Sequence, residues 1–252
     1  MALTHGERSS LTQTFQQKMK PEILVDAEGF VAVNKPAGLL SIPDREQSAE
    51  SLKDILRQQY GEIYTVHRLD RDTSGVILFA KNEEMHRWLS KQFESRTTQK
   101  IYNGLVLGKV YETEGLIDQP IGENTSKKGQ MTVTRLGKPA QTIYKTLETF
   151  TKFSWMEFNI LTGRTHQIRV HMKHFGHPIV CDPYYGDAQP ILVSSLKKNY
   201  KLAKNELEEK PILNRLALHA RALRFTDMHE KEVLVEAPLP KDIRATLAQL
   251  RK

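Results

Sequence analysis

An α+β fold with a mostly antiparallel sheet is predicted, and three features predict it. Apolar runs of strand length dominate from Pro21 onward, only a few helical patterns interrupt them, and Pro-, Gly- and Asp-rich turns bound them. A chain of 252 residues buries roughly three quarters of its unfolded surface, enough for a core without staples. Its content of 39% hydrophobic and 27% charged residues is that of a soluble globular protein. No stretch approaches the ~20 apolar residues of a membrane-spanning helix. One cysteine, Cys181, excludes an internal disulfide framework and a multi-cysteine zinc site. Residues 1–20 are polar, lack the apolar core of a secretory signal and read as a flexible arm. Residues 21–252 read as a single domain, and the protein as cytoplasmic. Lys and Arg total 37 against 30 Asp and Glu, a net charge of +7 that weakly favours a polyanionic partner.

Taken in order, Glu22–Asp26 and Phe30–Asn34 flank an Ala-Glu-Gly turn and form a predicted hairpin. NKPAGLLSIPD (residues 34–44) is a punctuated loop, and Leu52, Ile55 and Leu56 mark a short amphipathic helix that Gly61 ends. Two strand-like runs, Tyr64–Leu69 and Val76–Ala80, bracket the charged HRLDRDTSG. Asn82 caps a helix with Met85, Trp88, Leu89 and Phe93 on one face. Ile101–Leu107, Thr142–Leu147 and Ser154–Leu161 are further strands. THQIRVHMKHF is a predicted helix with Thr165 as N-cap and Arg164 just before it. Gly176 stops it and Pro178 prevents its continuation. Residues 190–212 form a charged insertion, basic at Lys197, Lys198, Lys201 and Lys204, then acidic at Glu206, Glu208 and Glu209. Leu216–Phe225 and Val233–Ala237 are closing strands before a terminal helix.

Two constellations carry chemistry. In HRLDRDTSG (residues 67–75) the DTSG half is turn chemistry, and a charged surface turn is the plain explanation. Yet Arg68 and Asp70 precede the turn, two apart on a strand, so both face one way. A carboxylate there is a nucleophile or a general base. In TGRTHQIRVH (162–171), Arg164 precedes a helix N-terminus that already favours anions, and His166 and Arg169 lie on the helix's polar side. It is either a basic surface helix or the source of an arginine for a carboxylate or a phosphate. His166, His171, His174 and His177, with Cys181 and Asp182, fall within seventeen positions, but HExxH is missing and His166 and His171 point to different helix sides. Structural or RNA-facing histidines are preferred over a metal. GENTSKKGQ (122–130) is no P-loop. Tyr102 shares a strand face with Lys100, either as packing or as a surface on which a flat base stacks.

HRLDRDTSGVILFAK (67–81), KIYNGLVLGKV (100–110), LTGRTHQIRVHMKHFGHPIVCDPYYG (161–186) and RLALHARALRF (215–225) closely resemble the RluA-type RNA pseudouridine synthases. NKPAGLLSIP (34–43) and APLP (237–240) are similar too. The motifs stand in the family's order from about Ile23 to Leu239.

The resemblance implies the pseudouridine synthase fold, a mixed, mostly antiparallel sheet with flanking helices and loops around a central cleft. Residues 21–252 would then be the catalytic domain. It implies isomerisation of specific uridines in structured RNA, rRNA or tRNA: the base leaves the ribose through N1, turns, and rejoins through C5, with no metal or organic cofactor. Asp70 matches the family's catalytic Asp, which attacks the sugar, adds to the base or abstracts a ribose proton. Tyr102 matches the Tyr against the target base, associated with proton removal at C5. Arg164 matches the Arg paired with the carboxylate, and Arg68 the Arg that enters the stack vacated by the flipped base. The RLALHA segment is assigned to the pocket wall. An S4-type RNA-binding module, carried by many relatives, is not expected here. RNA would be held by the catalytic domain and by loops near Lys127, Lys128 and Arg135, with the 190–212 insertion either a further RNA contact or a solvated helix. A monomer is expected.

Two rivals stand beside this reading. A catalytically silent RNA-binding protein on the same scaffold would have lost Asp70, Tyr102 or Arg164. A different carboxylate enzyme would need a second carboxylate, and only the turn residue Asp72 is near; a metal-dependent nuclease would need several clustered ones.

Overall fold

The computed structural model describes residues 21–197, 200–202 and 208–252. The expected N-terminal arm, and Lys198, Lys204 and Glu206 of the insertion, lie outside the described residues. The first half of the chain forms β1 (Glu22–Asp26), β2 (Phe30–Lys35), α1 (Leu52–Tyr60), β3 (Tyr64–Thr65), β4 (Ser74–Ala80), α2 (Glu83–Ser95), β5 (Gln99–Leu107) and β6 (Glu114–Asp118). There follow β7 (Ile121–Glu123), β8 (Met131–Val133), β9 (Gln141–Thr149), β10 (Phe153–Ile160), α3 (Gln167–His174), α4 (Val193–Leu196), β11 (Leu218–Thr226), β12 (Glu232–Glu236) and α5 (Lys241–Leu250).

Among the described residues ten strands make one mixed sheet with the order β1-β2-β4-β11-β5-β10-β9-β6; β3 adds to β4, β12 adds to β11, and β7-β8 is a separate hairpin. Strand neighbours run antiparallel except β4 and β11, which pair in parallel over His219–Ser74 and Ala220–Gly75. The sheet is mostly antiparallel, as expected, and its one parallel seam runs through the middle.

Strand β4 reads as an unbroken apolar run because both its faces are covered. Val76, Leu78 and Ala80 pack with Met85 and Leu89 of α2, whereas Ile77 and Phe79 pack with Leu52 and Leu56 of α1. Helix α1 starts with a capping box, Ser51 and Asp54 each satisfying the other's backbone N–H, and ends at Gly61. Asn82 Oδ1 accepts from the Met85 N–H and caps α2 as predicted. The farther half of the sheet buries Leu105, Trp155, Met156 and Phe158 against α3 and α5, through Ile168, Met172, Ile243 and Leu247.

Gly75 makes the central seam possible. Its φ is +114°, and a Cβ there would stand 2.1 Å from the Ala220 carbonyl oxygen. Ala220 in turn faces Tyr102 across the β5–β11 pairing, so Gly75, Ala220 and Tyr102 lie abreast on three neighbouring strands.

Two expectations are corrected. Only Tyr64–Thr65 of the Tyr64–Leu69 run is strand. Beyond it, side chains take the bonds a ladder would have made: His67 Nε2 accepts from the Leu78 N–H, and Ser41 Oγ both accepts from the Leu69 N–H and donates to the Leu69 carbonyl. Second, Thr165 does not cap α3. His166 holds that position in the left-handed region (φ +57°), and α3 spans only Gln167–His174. GENTSKKGQ holds the end of β7 and the loop of the β7-β8 hairpin, turned by Asn124, whose side chain accepts from the Ser126 and Lys127 N–H groups.

Candidate active site

Asp70 ends the irregular segment that leads into β4, and this segment is pinned from below. The Lys35 ammonium is buried and donates to the carbonyls of Pro36, Leu39 and Arg71 at 3.1, 2.8 and 2.8 Å, joining the loop after β2 to the loop that carries Asp70. Burial pushes its pKa down to about 7, while Asp72 and Asp70 pull it back up. Beyond Asp70, the Thr73 N–H returns to the Asp70 carbonyl in a turn (3.2 Å). Ser74 then begins β4 with its hydroxyl 2.9 Å from His219 Nδ1. His219 Nε2 donates to the Ala237 carbonyl, so Nδ1 is the acceptor and the imidazole is neutral; burial lowers its pKa to about 4. The RLALHA segment thus does line the site, with Leu218 in the pocket wall and His219 beneath it.

The pocket is lined by all four residues that the sequence singled out, Arg68, Asp70, Tyr102 and Arg164, together with His166 and Arg169. Their roles are redistributed in one respect. Arg164 does not pair with Asp70: its Nε donates to the Pro139 carbonyl at 3.0 Å, tying the rim of the pocket to the segment before β9. The guanidinium facing Asp70 belongs to Arg169, with Nη1 3.4 Å from Asp70 Oδ2. Arg169 is buried, not on a polar helix side, because its fork is filled from behind by Asp182. Nε and Nη2 donate to the two Asp182 oxygens at 2.7 and 2.8 Å. Asp182, itself fully buried, also accepts from the Tyr184 and Tyr185 N–H groups.

Sequence reasoning missed Arg169 as the partner of Asp70. The signal was its position between Ile168 and Val170 in a short helix that is buried all round from Gln167 to Met172. An arginine inside such a helix needs a buried anion, and Asp182 lies thirteen residues on.

The remaining polar members of the same motif are scaffolding. Gln167 Oε1 accepts from the Thr162 hydroxyl and the Arg164 N–H, and its Nε2 donates to the Gln141 carbonyl and to Thr142 Oγ1. His171 Nε2 donates to the Gln119 carbonyl, so Nδ1 accepts from the Thr142 hydroxyl. These bonds clamp α3 to β9. His166 points into the pocket, Nε2 at 3.9 Å from Asp70 Oδ2 and Nδ1 at 2.8 Å from the Tyr185 hydroxyl. Among the described residues no group of His, Cys, Asp and Glu gathers as a metal site. Asp182 serves Arg169, and His171 and His177 bond backbone and hydroxyl oxygens.

Tyr102 forms the pocket's inner wall, and burial, followed by the Asp70 charge, raises its phenol pKa well above the usual value. Arg68 is exposed at the mouth. The site is therefore a narrow polar cleft with a carboxylate at its base, a guanidinium behind it, an aromatic wall beside it and a solvent-facing arginine at its entrance.

The profile of a family described as RNA pseudouridylate synthase matches residues 29–174. Ribosomal large subunit pseudouridine synthase D of Nitrosomonas europaea is 36% identical over 247 residues, covering 95% of this chain and 68% of that protein. The dual-specificity RNA pseudouridine synthase RluA of Vibrio vulnificus is 42% identical over 176 residues, covering 66% of this chain and 70% of its own. Among solved structures, human RNA Pseudouridylate Synthase Domain Containing 4 superposes with a TM-score of 0.72 at 25% identity, over 98% of both chains. Human RNA Pseudouridylate Synthase Domain Containing 1 gives 0.69 at 27% identity, over 88% and 84%.

Proposed function

The chain belongs to the RluA-type RNA pseudouridine synthases, and we propose that Asp70 is its catalytic carboxylate, acting on a uridine of rRNA or tRNA in the cytoplasm. The reaction is an isomerisation: the N1–C1′ bond breaks, the C5–C1′ bond forms, C5 loses a proton and N1 gains one. One observation carries the assignment of Asp70. It is the carboxylate of the pocket that a buried guanidinium faces, and that guanidinium is oriented by a second, buried carboxylate.

The geometry supports a division of labour. Arg169 fixes the direction of the Asp70 carboxylate, so that the reacting oxygen is positioned before substrate arrives. Tyr102 offers its ring as a wall for the flipped uracil. Burial and then the Asp70 charge raise its phenol pKa, so in the free site the hydroxyl is protonated beside the carboxylate. Arg68, exposed at the mouth, would fill the stack from which the uridine leaves, offsetting the few kcal/mol that flipping costs. Arg164 lines the rim and holds it in shape through Pro139. Lys127, Lys128 and Arg135 are exposed on the β7-β8 hairpin and the turn after it, where phosphate contacts would supply most of the affinity. Residues 21–252 act as one catalytic domain, as a monomer.

The test is carbodiimide mapping of pseudouridine in total RNA from cells lacking the gene, treated in vitro with wild-type or Asp70→Asn protein. A new stop made only by the wild type is expected. Identical maps with both proteins, each folded and binding RNA, would favour a silent RNA-binding protein on this scaffold.

A further inference from the structure

The catalytic pocket opens into a second, wider groove that shares Arg68, Asp70, His166 and Arg169 with it. One wall of this groove is the 40–45 loop, presenting Ile42 and Pro43; another carries Tyr184. Tyr184 is 49% exposed, unlike its buried neighbour Tyr185. An aromatic ring half in solvent beside a cleft offers a flat apolar face to whatever enters it.

The ring is held in place. The Tyr184 N–H is fixed on Asp182 at 2.9 Å. His166 stacks on the ring with centroids 6.0 Å apart and planes at 28°, and the Arg169 guanidinium carbon is 5.4 Å from its centroid. His166 and Arg169 each reach within 4 Å of the same oxygen, Asp70 Oδ2. Both therefore join the ring to the catalytic carboxylate. The ring nevertheless remains half exposed where it lines the groove.

We propose that Tyr184 is the platform of a second nucleobase subsite, taking the base of a nucleotide beside the flipped uridine while Arg45 and Arg71 flank the strand's phosphates. This rests on the assignment of RNA as substrate. The occupant is argued from the surroundings: the groove combines an aromatic ring and the Ile42–Pro43 wall with Arg45, Arg68, Arg71 and Arg169 against the carboxylates Asp44, Asp70 and Asp72, which suits a planar group tethered to anions. Single-stranded RNA has both properties, and stacking on tyrosine tolerates any base. The subsite is continuous with the chemistry, because the ring that would receive the neighbouring base stands on the guanidinium that orients Asp70.

The probe is an end-labelled RNA hairpin with a uridine loop in which one 2-aminopurine is stepped through each position. Anisotropy reports binding, and 2-aminopurine fluorescence reports stacking. With wild type, binding is expected with quenching at a position adjacent to one uridine. Tyr184→Phe should keep the quench and Tyr184→Trp should deepen it. Tyr184→Leu should abolish it and weaken binding about tenfold, with an unchanged salt slope. RNA bound equally by wild type and Tyr184→Leu, with no position quenched differently, would overturn the subsite and leave the RNA assignment intact. No anisotropy change with any protein would overturn both.

Discussion

Replacing Arg169 with methionine tests the logic of the site most directly, because it should damage stability and catalysis through two different carboxylates. Asp182 has no exposure and receives two short bonds from the Arg169 fork; the variant leaves it with only the Tyr184 and Tyr185 N–H groups. Breaking a buried ion pair from one side costs about 3–5 kcal/mol, since the surviving charge stays desolvated. For a chain of this size each kcal/mol lowers Tm by about 2–4 °C, so a fall of about 10 °C is expected in a thermal melt. Adding Asp182→Asn removes the stranded charge while keeping an oxygen for the two N–H groups. The double variant should therefore be more stable than Arg169→Met alone, with a coupling of at least about 2 kcal/mol in the cycle. Arg169→Lys retains the charge but cannot span both carboxylates, and should lose turnover while recovering part of the stability. If the two single losses simply add, or if Arg169→Met costs less than about 1 kcal/mol, the pair does not organise the site and the reasoning fails.

Asp70→Asn is expected to abolish turnover and leave RNA affinity within several-fold in a filter-binding titration, since phosphate contacts dominate affinity; a collapse of binding would make Asp70 structural. Reversing the charge of Lys127 and Lys128 should weaken RNA binding and flatten its salt dependence, measured as the slope of log affinity against log salt; an unchanged slope would remove the β7-β8 hairpin from the interface. His219 titrates at about 4 when folded and at about 6.5 when unfolded, so the unfolded chain takes up its proton first as pH falls. The stability it protects is complete above about 6.5 and is lost down to about 4. Between about pH 7 and pH 5 this amounts to roughly 2 kcal/mol that a His219→Gln variant should not lose, read from urea unfolding at the two pH values. Gly75→Ala should cost more than about 2 kcal/mol, because both the positive φ and the Ala220 carbonyl oppose a side chain. A Tm within about 2 °C of wild type would deny the close approach of β4 and β11.

The β1–β2 hairpin, the Asn82-capped helix and the unbroken apolar strand Val76–Ala80 were legible in the sequence because each depends on neighbours within a few residues. A cap, a turn and a 3.6- or 2-residue period are local properties. The motif residues Arg68, Asp70, Tyr102 and Arg164 were legible as a set, and the fold does gather them around one pocket. Segments whose backbone is satisfied by distant side chains were not. HRLD reads as strand until Ser41 and His67 take up its bonds, and α3 starts late because His166 turns into the pocket.

Fold class, family and the chemical groups available to the cleft all follow from the order of residues along the chain. Which arginine faces Asp70 does not, because it depends on contacts between segments far apart in that order. Arg164 and Arg169 are equivalent as charges, and the difference between them is what lies behind each. A buried guanidinium is stable only where an anion meets it, and Asp182 reaches Arg169, whereas Arg164 is left on the rim with the Pro139 carbonyl.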